Sequence, residues 1–170
     1  MRLRAGRVTG AKAGSGSALL ESGHLPRQIV LERAQSRDLA ALCQLLKLAS
    51  LPDEDVTEER LQHFLIGRLD TRLIGVIGLE PYQDVALLRS LAVAREHSGV
   101  GFGKHLVAAA EKLAAEMKIT SIYLLTTTAD RFFERLGFRR LQRDLAPLAI
   151  KSSHQFASLC PTSAVLMVKP

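Results

Sequence analysis

Ser98-Gly99-Val100-Gly101-Phe102-Gly103 is the stretch on which the reading of this chain turns. Before it runs the apolar segment Ala86-Leu87-Leu88-Arg89-Ser90-Leu91-Ala92-Val93, and after it a helical pattern from Lys104 to Met117. Strand, glycine-rich turn and helix together make a seat for a phosphate. Glycine lets the backbone approach an anion, and the first-turn N–H groups of the helix point at it with the helix dipole behind them. A glycine-rich surface turn is the plain alternative. Spacing separates the kinds of phosphate loop. A Walker A loop needs Gly, four residues, then Gly-Lys-Ser/Thr. Gly103-Lys104 supplies its end, but position 98 is Ser and His105 cannot replace the magnesium-binding hydroxyl. A Rossmann fingerprint needs Gly-x-Gly-x-x-Gly in the first strand–helix turn, whereas these glycines fall at every second position past the chain's midpoint.

The 170 residues suffice for one domain with a proper core, and the 47% hydrophobic content suits a globular one. No apolar run approaches the roughly 20 residues that cross a bilayer. Much of the +6 charge sits in residues 1–27, where Arg2, Arg4, Arg7, Lys12 and Arg27 face only Glu21. The remainder lacks the basic excess that nucleic-acid binding requires, so neither nucleic acid nor membrane is an expected partner. Residues 1–27, rich in Gly, Ala, Ser and Arg, read as a disordered leader. An organelle-targeting peptide and a remnant of upstream sequence are both open as its origin, and the domain itself, residues 28–170, is expected in the cytoplasm. Cys43 and Cys160 form neither a metal-ligand spacing nor a disulfide framework, and both read as packing residues.

The periodicities set the order of elements. Gln28 to Arg33 is a short strand, and Ser36 is the expected N-cap of a helix carrying Leu39, Leu42, Cys43, Leu46 and Ala49. Pro52-Asp53-Glu54-Asp55 is an acidic loop. Phe64 to Leu69 and Leu73 to Leu79 form a hairpin about Asp70-Thr71, and Pro81 to Asp84 turns into a long strand from Val85 to Val93. In the following helix Leu106, Val107, Ala110, Leu113, Ala114 and Met117 share one face. Ser121 to Leu125 is a strand, Ala129 to Leu136 a helix stopped by Gly137, Phe138 to Leu141 extended, Pro147 to Leu159 partly helical, and Ala164 to Val168 a last strand. A three-strand meander followed by a right-handed β-α-β crossover predicts an α/β fold on a mixed sheet.

This loop and order resemble the GCN5-related N-acetyltransferase superfamily, whose pyrophosphate loop reads Arg/Gln-x-x-Gly-x-Gly/Ala. Gly101 and Gly103 match, and Ser98 stands where Arg or Gln is usual. Phe132-Phe133-Glu134-Arg135-Leu136-Gly137-Phe138 resembles the superfamily's Tyr-x-x-Leu-Gly-Phe segment. More narrowly, Gly78-Leu79-Glu80, Leu88 to Val93, Leu124-Leu125-Thr126-Thr127-Thr128-Ala129 and Leu159-Cys160-Pro161-x-Ser163-Ala164 look like the arsenic-resistance N-acetyltransferases. The resemblance implies a mostly antiparallel sheet with a parallel pair splayed around coenzyme A and helices on both faces. It also implies acetyl transfer from acetyl-CoA to the α-amino group of a small amino acid bearing an arsinate or phosphinate. A protein or peptide acetyltransferase, or a non-catalytic acyl-CoA sensor, are the rival functions. Folds of this kind often dimerise, so a homodimer is open.

Acetyl transfer needs the cofactor held, the thioester oxygen stabilised and the acceptor ammonium deprotonated. For holding, the candidates are Ser98, Gly99, Val100, Gly101, Phe102, Gly103 and Lys104 at the pyrophosphate. By resemblance, the backbone of Leu91, Ala92 and Val93 lies along the pantetheine. Many relatives carry at the Phe133 position a Tyr that protonates the leaving thiolate; Phe133 cannot. Glu80 is the candidate base, acting through water, or else a solvent-exposed strand end. Arg89 interrupts an apolar strand, where an unpaired charge is expensive. It sits either on a wet face of the sheet or as the bidentate partner of an acceptor anion, with Ser90 and Thr127 completing the pocket.

Overall fold

The structure is a computed structural model that describes residues 29–170; the predicted leader lies outside the described residues. Seven strands form one sheet in the order β1-β2-β3-β4-β5-β7-β6. They are β1 Ile29–Arg33, β2 Phe64–Leu69, β3 Arg72–Tyr82, β4 Val85–Val93, β5 Ser121–Thr126, β6 Arg139–Leu141 and β7 Val165–Lys169. The helices are α1 Leu39–Leu48, α2 Phe102–Glu116, and the short α3 Asp130–Glu134 and α4 Leu148–Lys151. Every neighbouring pair is antiparallel except β4 with β5. That one parallel pair is the consequence of the crossover through α2, since parallel strands cannot be joined by a tight turn. The predicted α/β architecture is the observed one.

The β2–β3 hairpin turns at Asp70, whose φ of 57° is tolerated by an Asp. β3 runs three residues beyond the predicted Leu79: Glu80, Pro81 and Tyr82 pair with Leu87, Ala86 and Val85, and the turn contracts to Gln83-Asp84. Ser36 does not cap α1. A 3-10 turn, Ser36–Asp38, precedes the helix, and the Asp38 carboxylate accepts the Gln35 N–H at 2.9 Å. α2 starts two residues before the predicted Lys104, because Phe102 is its first buried anchor, 3% exposed, while Met117 ends the helix at 39% exposed. Phe102 and Leu106 lie over Gly75, where an added Cβ would sit 2.5 Å from Phe102 Cε1 and 2.9 Å from Leu106 Cδ1. The glycine is thus a socket that lets α2 dock close to the sheet. Side chains alternate along a strand, so Glu80 and Tyr82 share the opposite face with their partners Leu87 and Val85. There Ala146, Ile150 and Phe156 of the C-terminal segment pack on Val85 and Leu87.

Candidate active site

β4 and β5 pair only from Val85–Leu88 with Ser121–Leu124. Beyond Leu88 the strands part: β4 continues along β3 and β5 continues along β7. Between the parting strands lies a cleft of about 520 Å³, lined by Leu87 to Val93, Leu124 to Ala129 and Phe133. Its outer walls are Ala49 to Pro52, after α1, and Gln155 with Leu159 to Pro161 from the C-terminal segment. A bulge shapes the inner end. Gly78 pairs with Arg89 and Val76 with Ala92, so Ile77 alone faces Ser90 and Leu91. Ser90 takes up the extra residue at φ 55°, a left-handed conformation that costs a non-glycine residue of order 1 kcal/mol.

The glycine loop follows β4 and borders the cleft, since a Cβ on Gly103 would lie 3.8 Å from Cγ2 of the cleft-lining Val93. Gly99 and Gly101 have φ of 80° and 86°, and Gly101 is the N-cap of α2. The backbone N–H groups of Gly99 to Gly103 have no hydrogen-bond partner among the described residues. A row of unpaired amides at a helix N-terminus suits an anion such as a pyrophosphate. The Lys104 amide is not one of them, because it donates to Gly101 O at 3.0 Å. The Phe102 side chain belongs to the core, so only its backbone faces the loop. The Ser98 hydroxyl donates to Ala94 O at 3.3 Å and so braces the loop itself. The two sequence landmarks meet here, since Phe132 Cζ lies 3.6 Å from where a Cβ on Gly103 would be. Phe133, 5% exposed, lines the cleft and stacks edge-on with Phe132 and Phe138 at 5.0 and 5.5 Å between centroids.

Arg89 lies on no wet face: its side chain is 2% exposed. Nor is its guanidinium free for an acceptor. Both terminal nitrogens grip Asp55, with Nη2 at 2.6 Å from Oδ1 and Nη1 in contact with Oδ2. Nη1 also donates to Glu80 Oε1 at 2.8 Å, and Nε to Ser90 Oγ at 3.1 Å. With the Gln155 amide turned so that its oxygen faces the guanidinium, that oxygen accepts from Nη2 at 2.8 Å. All five N–H donors of the fork are thereby used within the chain. Gly78 makes room for the stem, since a Cβ there would lie 3.0 Å from Arg89 Cγ. Burial alone would push the Asp55 carboxyl up, but the hydrogen bonds and charge of Arg89, with Arg60 adding, hold it below the usual carboxylate range. For Arg89, burial pulls downward and the Asp55 and Glu80 partners more than reverse it.

Glu80 corrects the sequence reading as well. It is 6% exposed, so it is no solvent-exposed strand end. It stands behind Arg89 and does not line the cleft. Its Oε1 accepts from Arg89 and, at 3.3 Å, from Arg60, and its Oε2 accepts from the Tyr82 hydroxyl at 2.9 Å. Burial first, then the bond to Glu80, raises the Tyr82 hydroxyl to about 12. Thr127 lines the cleft from an exposed position, and Thr126 Oγ1 accepts the Ala129 N–H at 3.0 Å, holding the turn after β5. Asp55, Arg60, Tyr82 and Gln155 are the members of this network that sequence reasoning missed. The one available signal was Arg89 itself, because a charge inside an apolar strand demands a buried partner. The remote positions of the partners carry no local signature. Among the described residues no cluster of His, Cys, Asp and Glu could hold a metal ion.

Residues 32–138 match the acetyltransferase (GNAT) family. An uncharacterised N-acetyltransferase of Chlorobaculum tepidum is 29% identical over 93 residues, which is 54% of this chain and 59% of that protein. The amino-acid acetyltransferase of Vibrio cholerae is 28% identical over 101 residues, 58% of this chain and 23% of its own. The chain therefore spans less than two thirds of either relative. Among solved structures, N-acetylglutamate synthase of Neisseria gonorrhoeae, in complex with coenzyme A and N-acetyl-glutamate, superposes with a TM-score of 0.72 at 21% identity, covering 84% of this chain and 35% of its own. A Mycobacterium tuberculosis protein in complex with CoA gives 0.71 at 20% identity over 82% of this chain and 97% of that one. With its parting parallel strands, its glycine loop at the mouth of α2 and this match over more than half its length, the chain belongs to the acetyltransferase (GNAT) family.

Proposed function

We propose that the chain transfers acetyl from acetyl-CoA to the α-amino group of a small amino acid carrying an anionic group, an arsinate or phosphinate by the resemblance of its Leu-Leu-Thr-Thr-Thr and Leu-Cys-Pro segments. One observation carries the acceptor class: among the described residues the cleft lining holds no Asp or Glu, and its one cationic side chain, Arg89, is already paired with Asp55 and Glu80 behind it. A lysine or peptide amine arriving with other positive charges would want an acidic groove instead. The amino-acid acetyltransferase and N-acetylglutamate synthase likenesses agree with a small amino-acid acceptor.

The amides of Gly99 to Gly103 would hold the pyrophosphate, with the Lys104 ammonium close by, and the backbone of Leu91 to Val93 would run along the pantetheine. The bound thioester supplies an activated acetyl group and a sulfur leaving group, since a thiolate leaves far more readily than an alkoxide. With no Asp, Glu or His in the described lining, the ammonium proton of the acceptor leaves through water. The acceptor's anionic group faces the Thr127 hydroxyl on the exposed side of the cleft. Thiol release from acetyl-CoA, measured against a panel of anionic amino acids, neutral amino acids and lysine-bearing peptides, tests this. Release with the anionic amino acids is expected. Release with peptides alone overturns the acceptor class, and binding of acetyl-CoA without release on any acceptor favours the sensor.

A further inference from the structure

We propose that the Ser90 hydroxyl is the hydrogen-bond donor to the coenzyme sulfur, the task that Phe133 leaves vacant. This rests on the acetyl-CoA reading above. Four observations lead to it. The first is the state of the hydroxyl. Ser90 Oγ accepts the Arg89 Nε–H at 3.1 Å, a charge-assisted bond that occupies the oxygen on its protein side. The hydroxyl's own proton is left to be donated, and a chain of donors beginning at a guanidinium polarises it. The second is location. Ser90 lines the cleft directly before Leu91, at the point where β4 parts from β5.

The third is strain. Ser90 holds φ 55° at the bulge where glycine would sit without cost. Non-glycine residues persist in such conformations where the side chain is needed. The fourth is elimination among rival donors. Tyr82 donates to Glu80 and does not line the cleft, and neither does Tyr123. Thr126 Oγ1 is spent on the turn after β5. Ser50, which also lines the cleft, Thr127 and Thr128 are exposed, and no hydrogen bond among the described residues orients their hydroxyls. A half-buried, fixed donor stabilises a developing anion far better than a mobile exposed one.

The test follows the coenzyme thiol as well as turnover. Ser90→Gly removes the hydroxyl and accepts the backbone conformation, so relief of strain offsets the lost bond from Arg89 Nε and its urea midpoint should stay near that of the parent. In the parent, ultraviolet titration of bound coenzyme A should find the thiol ionising about one unit below the value measured for free coenzyme A in the same buffer. In Ser90→Gly the bound thiol should return to the free value. With any acceptor that turns over, kcat should fall about 10- to 100-fold, with the KM for acetyl-CoA changed less than threefold. An unchanged thiol titration, or a loss confined to the acceptor KM, overturns the assignment. Failure of the parent to bind coenzyme A would overturn the acetyl-CoA reading itself, and is distinguished by the absence of any bound-thiol signal.

Discussion

Replacing Arg89 by Met removes the hub of the buried network while keeping an unbranched stem in the slot beside Gly78. It leaves Asp55 and Glu80, each with a side chain 8% exposed, facing each other without their shared cation. Breaking a buried pair by removing one partner costs about 3–5 kcal/mol. Arg60 remains 3.2 Å from Asp55 and 3.3 Å from Glu80, but its side chain is 42% exposed, so it compensates only in part. A loss of about 3 kcal/mol is expected, a large share of the ~5–15 kcal/mol available to a domain. Asp55→Asn should cost less on its own, because Arg89 keeps Glu80 and Gln155. The double variant should be less harmed than the sum of the singles by at least about 1 kcal/mol, since removing both charges leaves less uncompensated. Urea unfolding at neutral pH, with midpoint and slope fitted for all four proteins, gives the cycle. A loss below about 1 kcal/mol for Arg89→Met, or singles that add within about 0.5 kcal/mol, would refute the assignment of Arg89 to a buried ionic hub.

Gly75→Ala should destabilise by about 1–3 kcal/mol. It should also weaken coenzyme A binding, because Phe102 and Leu106, the side chains it displaces, seat the first turns of α2; calorimetric titration with coenzyme A reads the second effect. In a spectrophotometric titration, Tyr82 should ionise only at about 12. A folded value raised in this way lends stability that is whole below pH ~10 and is lost as pH rises through about 12. The Asp55 shift has the opposite sign: its stabilisation is present above pH ~4 and fades as acid carries the protein through the lowered folded value, and Asp55→Asn should flatten that acid limb. Burial pushes the Cys160 thiol up, against the pull of Arg143 and Arg89. Alkylation at neutral pH should therefore be slower than for a free thiol, and slower again with coenzyme A in the cleft that Cys160 lines.

The fold was legible because its cues are local. Alternation wrote the strands, and a 3.6-residue period wrote α2. The glycine loop and the Phe132 to Phe138 segment carried the family resemblance. The boundaries that slipped did so where tertiary contacts overrode local cues, as where Phe102 started α2 early by finding its socket at Gly75. The site was legible only on its backbone side. The partners of Arg89 come from a loop 34 residues upstream, from the neighbouring strand and from the C-terminal segment. Pro52-Asp53-Glu54-Asp55 looked like the end of a helix, and nothing local in it says that its last carboxylate folds back onto β4. Glu80 looked like a candidate base because a strand-end carboxylate near a cleft is indistinguishable, in one dimension, from one that faces an arginine.

The parting of β4 and β5 creates an interior sheet edge, where the cleft-facing margin of β4 beyond Leu88 meets no neighbouring strand among the described residues. Such margins invite pairing with foreign chains. Here the edge is short, and the kink at Ser90 bends it away from the flat geometry that another polypeptide would need. A slender amide-bearing ligand faces no such obstacle. The feature that opens the cleft to pantetheine therefore also guards the empty protein against recruiting a strand from its own copies.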